Sequence, residues 1–227
     1  MPLILGARTQ AGSDPWLVIG WIAVGGGILS ALAILIEILR GRREQMAVMN
    51  WVYPITGLYW GPLAVYFFRH QDRIPGASVS KGVSHCGAGC TLGDIVGEWI
   101  VYLTAWSIAL FAAKPPNTLM AMYVADFVLA WTLGIIFQYF SIVPMREDVG
   151  RLQGIWAAIK ADTLSIVSFQ AGLFGYMALY HLVFFKPPLS VASPTYWFMM
   201  QIGMIVGFFT AWPVNTWLIR KGWKEKM

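Results

Sequence analysis

Roughly six runs of apolar residues punctuate this chain, at about 16–39, 46–68, 86–113, 119–143, 161–185 and 196–219, each near the ~20 residues that carry an α-helix across a bilayer. In lipid the backbone has no water to bond, so a chain patterned this way must satisfy its N–H and C=O groups within helices. The expected fold is therefore all-α: a polytopic transmembrane helix bundle of about six hydrophobic segments, the second either kinked or re-entrant. Residues 16–219 form its single domain, between a polar N-terminal segment (1–15) and a basic tail (220–227). The first run is longer than the core of a cleavable signal peptide and is read as a retained span. Breakers fill the connections: Arg40 to Glu44, Arg69 to Arg73 with Pro75 and Gly76, Lys114 to Asn117, Pro144 to Arg151, and Lys186 to Pro188.

With 58% hydrophobic and 12% charged residues and a mean hydropathy of +0.62, no polar surface of a soluble domain can be built. The net charge of +5 does not point to nucleic acid. Its basic residues sit beside apolar runs, where they orient a protein in the lipid bilayer. Six full crossings with both termini inside leave Arg40, Arg42 and Arg43 facing out. If the second run instead enters and leaves on the cytoplasmic side, only Arg8, Lys114 and Lys186 face out. Pro54, Gly57, Gly61 and Pro62 interrupt that run, and broken helices are tolerated at membrane depth where protein covers them. Both solutions place the C-terminus and the loop before His85 in the cytoplasm.

Polar residues inside the apolar runs are the candidates for chemistry. Cys86, Cys90, Asp94 and Glu98 recur every four residues, which puts two thiols and two carboxyls on one slowly turning helix face. Beside them Gly89, Gly93 and Gly97 form a small-residue stripe that lets another helix approach closely. Asp126 and Asp162 lie in or at the edge of later runs, and Glu37 sits at the end of the first, one turn from Arg40, as an interface residue. Intramembrane ionisable groups mark ion pathways, proton relays or ligand sites. Thiolate, imidazole and carboxylate together suit a transition metal, the softer Cys selecting copper(I) or zinc. His85, Cys86, Cys90 and Asp94 are the candidate metal ligands. Glu98, Asp126 and Asp162 are the candidate ion or proton path. Gln138, Gln170 and Gln201 read as polar links between helices, and most of the methionines read as apolar filler. Cytoplasmic thiols stay reduced, and Cys86 and Cys90 on adjacent turns have poor geometry for a bridge.

Five ordered motifs, Pro54-Ile-Thr-Gly-Leu-Tyr-Trp-Gly-Pro62, His85-Cys-Gly-Ala-Gly-Cys-Thr-Leu-Gly-Asp94, Phe137-Gln-Tyr-Phe-Ser-Ile-Val-Pro-Met145, Lys160-Ala-Asp-Thr-Leu-Ser165 and Tyr196-Trp-Phe-Met-Met-Gln201, together resemble the bacterial membrane family known as domain of unknown function 4396 (DUF4396). The resemblance covers nearly the whole chain after residue 46. It implies a multi-span protein of the bacterial cytoplasmic membrane and supplies no mechanism. Proteins of that family often carry the label copper oxidase, a hint toward copper, but the repeated His-x-His pairs of soluble oxidases are absent here.

The resulting expectation is an integral membrane protein that binds or translocates a transition metal ion, copper first, within the bundle. Two rivals remain open. One is a membrane-embedded thiol- or metal-dependent oxidoreductase acting on a lipid-soluble substrate such as a quinone. The other is an accessory subunit meeting a membrane protein partner or a second copy of itself. No nucleotide-binding loop is present, so ATP-driven pumping by this chain alone is not expected.

Overall fold

A computed structural model describes residues 15–44, 46–73, 76–104, 117–142, 150–185 and 189–224. Residues 1–14, the end of the third apolar run and residues 225–227 of the basic tail lie outside the described residues, as do Arg8, Lys114, Arg146, Lys186 and Lys226. Among the described residues there are seven α-helices and no strand: α1 (Pro15–Leu39), α2 (Met49–Trp60), α3 (Pro62–His70), α4 (Ala77–Thr104), α5 (Asn117–Ile142), α6 (Arg151–Leu179) and α7 (Pro194–Arg220). A single π-helical stretch, Tyr180–Phe184, extends α6.

Among the described residues, four stretches are long and apolar enough to cross a membrane: Pro15–Leu39, Met122–Ser141, Arg151–Phe184 and Pro194–Arg220. The sequence expectation of six segments divides differently here. The described part of the third run, residues 86–104, belongs to α4, which begins earlier at Ala77 and is diluted by serine, glycine and ionisable residues. Helix α4 is instead the most enclosed element, packed against α2, α5, α6 and α7. Helix α1 presents the opposite pattern, with Trp21, Ile22, Leu29 and Leu39 each more than 60% exposed, an apolar face compatible with lipid.

The second run is not one helix. Gly61 has φ 57° and ψ −139°, a conformation that a side chain would strain, and Pro62 begins the next helix with its ring already at a helical φ. The chain folds back at this point. The Tyr53 and Phe68 rings lie 5.0 Å apart, whereas on one continuous helix the same residues would be separated by about 22 Å. Tyr53 also hydrogen-bonds Gln71. Helices of 12 and 9 residues reach only ~18 and ~14 Å, well short of the ~30 Å hydrocarbon core.

This hairpin fixes which ends meet. Arg69 pairs with Glu37 at 2.5 Å, Lys81 with Glu44 at 3.2 Å, and Lys224 reaches the Gly82 carbonyl at 3.0 Å. The end of α1, both ends of the hairpin, the start of α4 and the end of α7 therefore share one side of the bundle. All Lys and Arg residues among those described, namely Arg40, Arg42, Arg43, Arg69, Arg73, Lys81, Arg151, Lys160, Arg220, Lys221 and Lys224, lie toward this end. The other end is aromatic: Trp16 meets Phe185 edge-on, Trp99 stacks on Trp197 and Tyr123 on Phe174.

Candidate functional site: a buried polar string through the bundle

Helix α4 positions the site. His85, Cys86, Cys90, Asp94 and Glu98 are all at most 1% exposed, because helices close over α4 on several sides. On one of these sides the glycine stripe sets the spacing. A Cβ built on Gly89 would lie 2.6 Å from the Gly134 Cα, one on Gly93 would collide with the Ala130 backbone, and one on Gly97 would strike Asp126. Helix α5 thus lies backbone to backbone on α4, and the space over Gly97 is filled by the Asp126 carboxyl.

From the basic end inward the string begins with Lys224. Helix α7 ends in a Schellman turn: Gly222, at φ 67°, donates to the Ile219 carbonyl and Trp223 to the Leu218 carbonyl. That reversal drives the Lys224 side chain back into the bundle, where its ammonium meets Asp162 Oδ1 at 2.5 Å with both side chains fully buried. Asp162 is within electrostatic reach of His85 and of Cys90. His85 Nδ1 lies 3.5 Å from the Ser141 hydroxyl and its ring meets Phe137 edge-on, so it faces α5.

The two free thiols come next. Cys86 and Cys90 are both buried, stand one turn apart on α4 and share a cluster with Tyr59, Phe169, Met200 and Met204. Beyond them Gln170 donates to Asp94 Oδ1 at 2.8 Å. Asp94 and Glu98 interact along the same face, and Glu98 faces Asp126 of α5. From His85 to Glu98 the helix advances ~20 Å. The string thus runs from the basic end most of the way to the aromatic one.

Among the described residues, no three His, Cys, Asp or Glu side chains converge on one metal position. His85, Cys86, Cys90 and Asp94 therefore do not form a four-ligand cage. The imidazole turns toward α5 while the thiols turn into the apolar cluster, because neighbouring positions on a helix leave it ~100° apart. The arrangement leaves two adjacent thiols as the soft donor pair, with carboxyls farther along.

Several members of the string lack a strong sequence signal. Lys224 reads as tail, yet Gly222 two residues earlier is the helix-stop glycine that turns it inward. Gln170 reads as a link between helices and is the partner of Asp94. Asn215 bonds Ser165 at 2.6 Å beside Asp162. Tyr59, Tyr123, Tyr180 and Tyr196 carry hydroxyls that are buried without a hydrogen-bond partner, and nothing in the sequence separates them from the other aromatic residues.

A second feature lies to one side. A cavity of about 230 Å³ between the hairpin, α4 and α7 is walled by Trp60, Phe67, Phe208 and Trp212 and touches Lys81 and Ser84.

Residues 77–224 match the family described as Domain of unknown function (DUF4396). The match begins at the first residue of α4 and ends at Lys224, so it contains every Lys, His, Cys, Asp and Glu of the buried string. Comparison with curated proteins and with solved structures finds no match.

Proposed function

This chain belongs to the DUF4396 family, and from that premise we propose that it binds and moves a transition metal ion, copper(I) first, through the interior of its helix bundle. The observation that carries the reading is the position of Cys86 and Cys90, one turn apart on α4 and buried within a string of ionisable side chains that approaches both ends of the bundle. Thiolate favours copper(I) or zinc; zinc usually takes four ligands, whereas copper(I) on two thiolates needs no third protein ligand. Each thiol gives up its proton as the metal–sulfur bond forms. Asp94 and the Glu98–Asp126 pair are the groups placed to receive protons farther along. Packing energy alone would not retain such a string, since apolar residues would fill the same space at lower cost.

Orientation follows from the same chemistry. The end that gathers the described Lys and Arg residues faces the cytoplasm under the positive-inside rule. The α2–α3 hairpin is then re-entrant from that side, the C-terminus is cytoplasmic, and Lys224 with Asp162 sits at the inner mouth. Copper content of the purified chain after anaerobic loading tests the proposal. A stoichiometric ion, lost in the folded Cys86→Ser, Cys90→Ser double variant, is expected. Equal copper in both would refute it.

The aromatic cavity favours a second reading, an oxidoreductase using a lipid-soluble substrate such as a quinone. Its wall reaches Ser84, two residues before Cys86. Saturable quenching of Trp60 and Trp212 fluorescence by a short-chain quinone, with turnover that needs the thiols, would support that reading over transport.

A further inference from the structure

At the aromatic end the carboxyl pair is surrounded by more oxygens than it has partners. Glu98 Oε2, Asp126 Oδ1 and the hydroxyls of Tyr123, Tyr180 and Tyr196 are all buried with no hydrogen-bond partner. Glu98, Asp126, Tyr180 and Tyr196 are each 1% exposed. These side chains come from α4, α5, the π-helical extension of α6, and α7. The Asp126 carboxyl fills the space over Gly97, next to Glu98, and the Tyr196 hydroxyl is turned toward Glu98. The hydroxyls of Tyr123 and Tyr180 are within electrostatic reach of Glu98. Asp94, one turn before Glu98, is occupied by Gln170. Folded proteins satisfy nearly all their buried polar atoms, and a convergent group left open by the protein is the mark of a bound ion or water.

Charge and donor type decide between them. Two carboxylates facing each other repel, and one shared proton turns the repulsion into attraction. In the state with one shared proton, one negative charge remains. Among the described residues no Lys or Arg lies at this end to meet it, and a buried unpaired charge is costly. The donors are oxygen throughout, with no sulfur or nitrogen, which suits a hard ion and not copper(I).

We propose that Glu98, Asp126, Tyr123, Tyr180 and Tyr196 form a binding site for a hard monovalent cation of the sodium class, held together with one shared proton. The site deepens the reading of the carboxyls as an ion path and rests on it. It is separate from the thiol pair and supplies the chain with a coupling ion distinct from the metal.

Binding of radioactive sodium to the purified full-length chain in detergent, with choline as the replacement cation, tests it. A single saturable site, displaced by unlabelled sodium and not by choline, is expected in the wild type. Glu98→Gln and Asp126→Asn abolish it, and Tyr196→Phe weakens it roughly tenfold, the loss of one good ligand. The Cys86→Ser, Cys90→Ser variant binds sodium normally, while Tyr196→Phe still retains copper, so failure at one site is told apart from failure at the other. No saturable sodium binding by the wild type, or binding that survives both carboxyl substitutions in folded protein, overturns the proposal.

Discussion

Replacing Lys224 with methionine removes the charge while keeping most of the stem, and it isolates the buried pair at the basic end. The ammonium and the Asp162 carboxylate are 2.5 Å apart and fully buried. At an effective dielectric of about 20 their attraction is roughly 7 kcal/mol, and desolvating the two ions costs several kcal/mol each, so the pair contributes little net stability. Breaking it is another matter. Lys224→Met leaves Asp162 buried and unpaired, at about 3–5 kcal/mol, and also strips the Gly82 carbonyl of its donor. At ~2–4 °C per kcal/mol for a chain of this size, the apparent melting midpoint should fall by roughly 10 °C. Midpoints are compared at one heating rate, because unfolding from detergent is governed by rate. The double variant Lys224→Met, Asp162→Asn should recover most of the loss, since removing both charges removes the penalty. A single variant that melts within about 2 °C of wild type, or a double variant no better than the single, would refute the reasoning.

Further outcomes follow from the packing. Gly93→Ala places a methyl against the Ala130 backbone, which cannot rotate away, and should cost about 1–3 kcal/mol; Gly25→Ala, with open space around it, should be neutral or raise the midpoint slightly. Gly61→Ala meets no atom within 4 Å, so its expected loss of about 1–3 kcal/mol is conformational, and a midpoint unchanged from wild type would contradict the hairpin turn. Gln170→Leu deprives Asp94 of its donor and should cost about 1–3 kcal/mol, read in the same melting assay, while Asp94→Asn in that background should restore part of it.

Much of the architecture was open to reading because it depends on local periodicity. A spacing of four residues puts Cys86, Cys90, Asp94 and Glu98 on one face without knowledge of any partner. The breakers at Gly61 and Pro62 marked the second run as interrupted, but whether it kinks or reverses depends on Tyr53, Phe68 and Gln71 meeting, which periodicity does not encode. The count of spans was harder to read. Helix α4 is polar because it is enclosed by protein, so hydropathy understates it, and the acids of the buried string, Asp94 on α4 and Asp162 on α6, are matched by groups far away in sequence. Gln170 lies 76 residues from Asp94 and Lys224 62 residues from Asp162. His85 and the thiols are neighbours in sequence yet face different helices, a separation set by the helix pitch, although which neighbour each would meet needed the packing.

The proposed function requires the buried string to conduct the ion. Copper(I) uptake into proteoliposomes holding a fluorescent copper indicator, measured for wild type, Cys86→Ser with Cys90→Ser, and Asp94→Asn at equal reconstituted protein, tests it most directly. Uptake by the wild type that is lost with the thiols and slowed with the carboxyl is the predicted result. Wild-type vesicles no more permeable to copper(I) than protein-free ones, or uptake indifferent to all three substitutions, would contradict it.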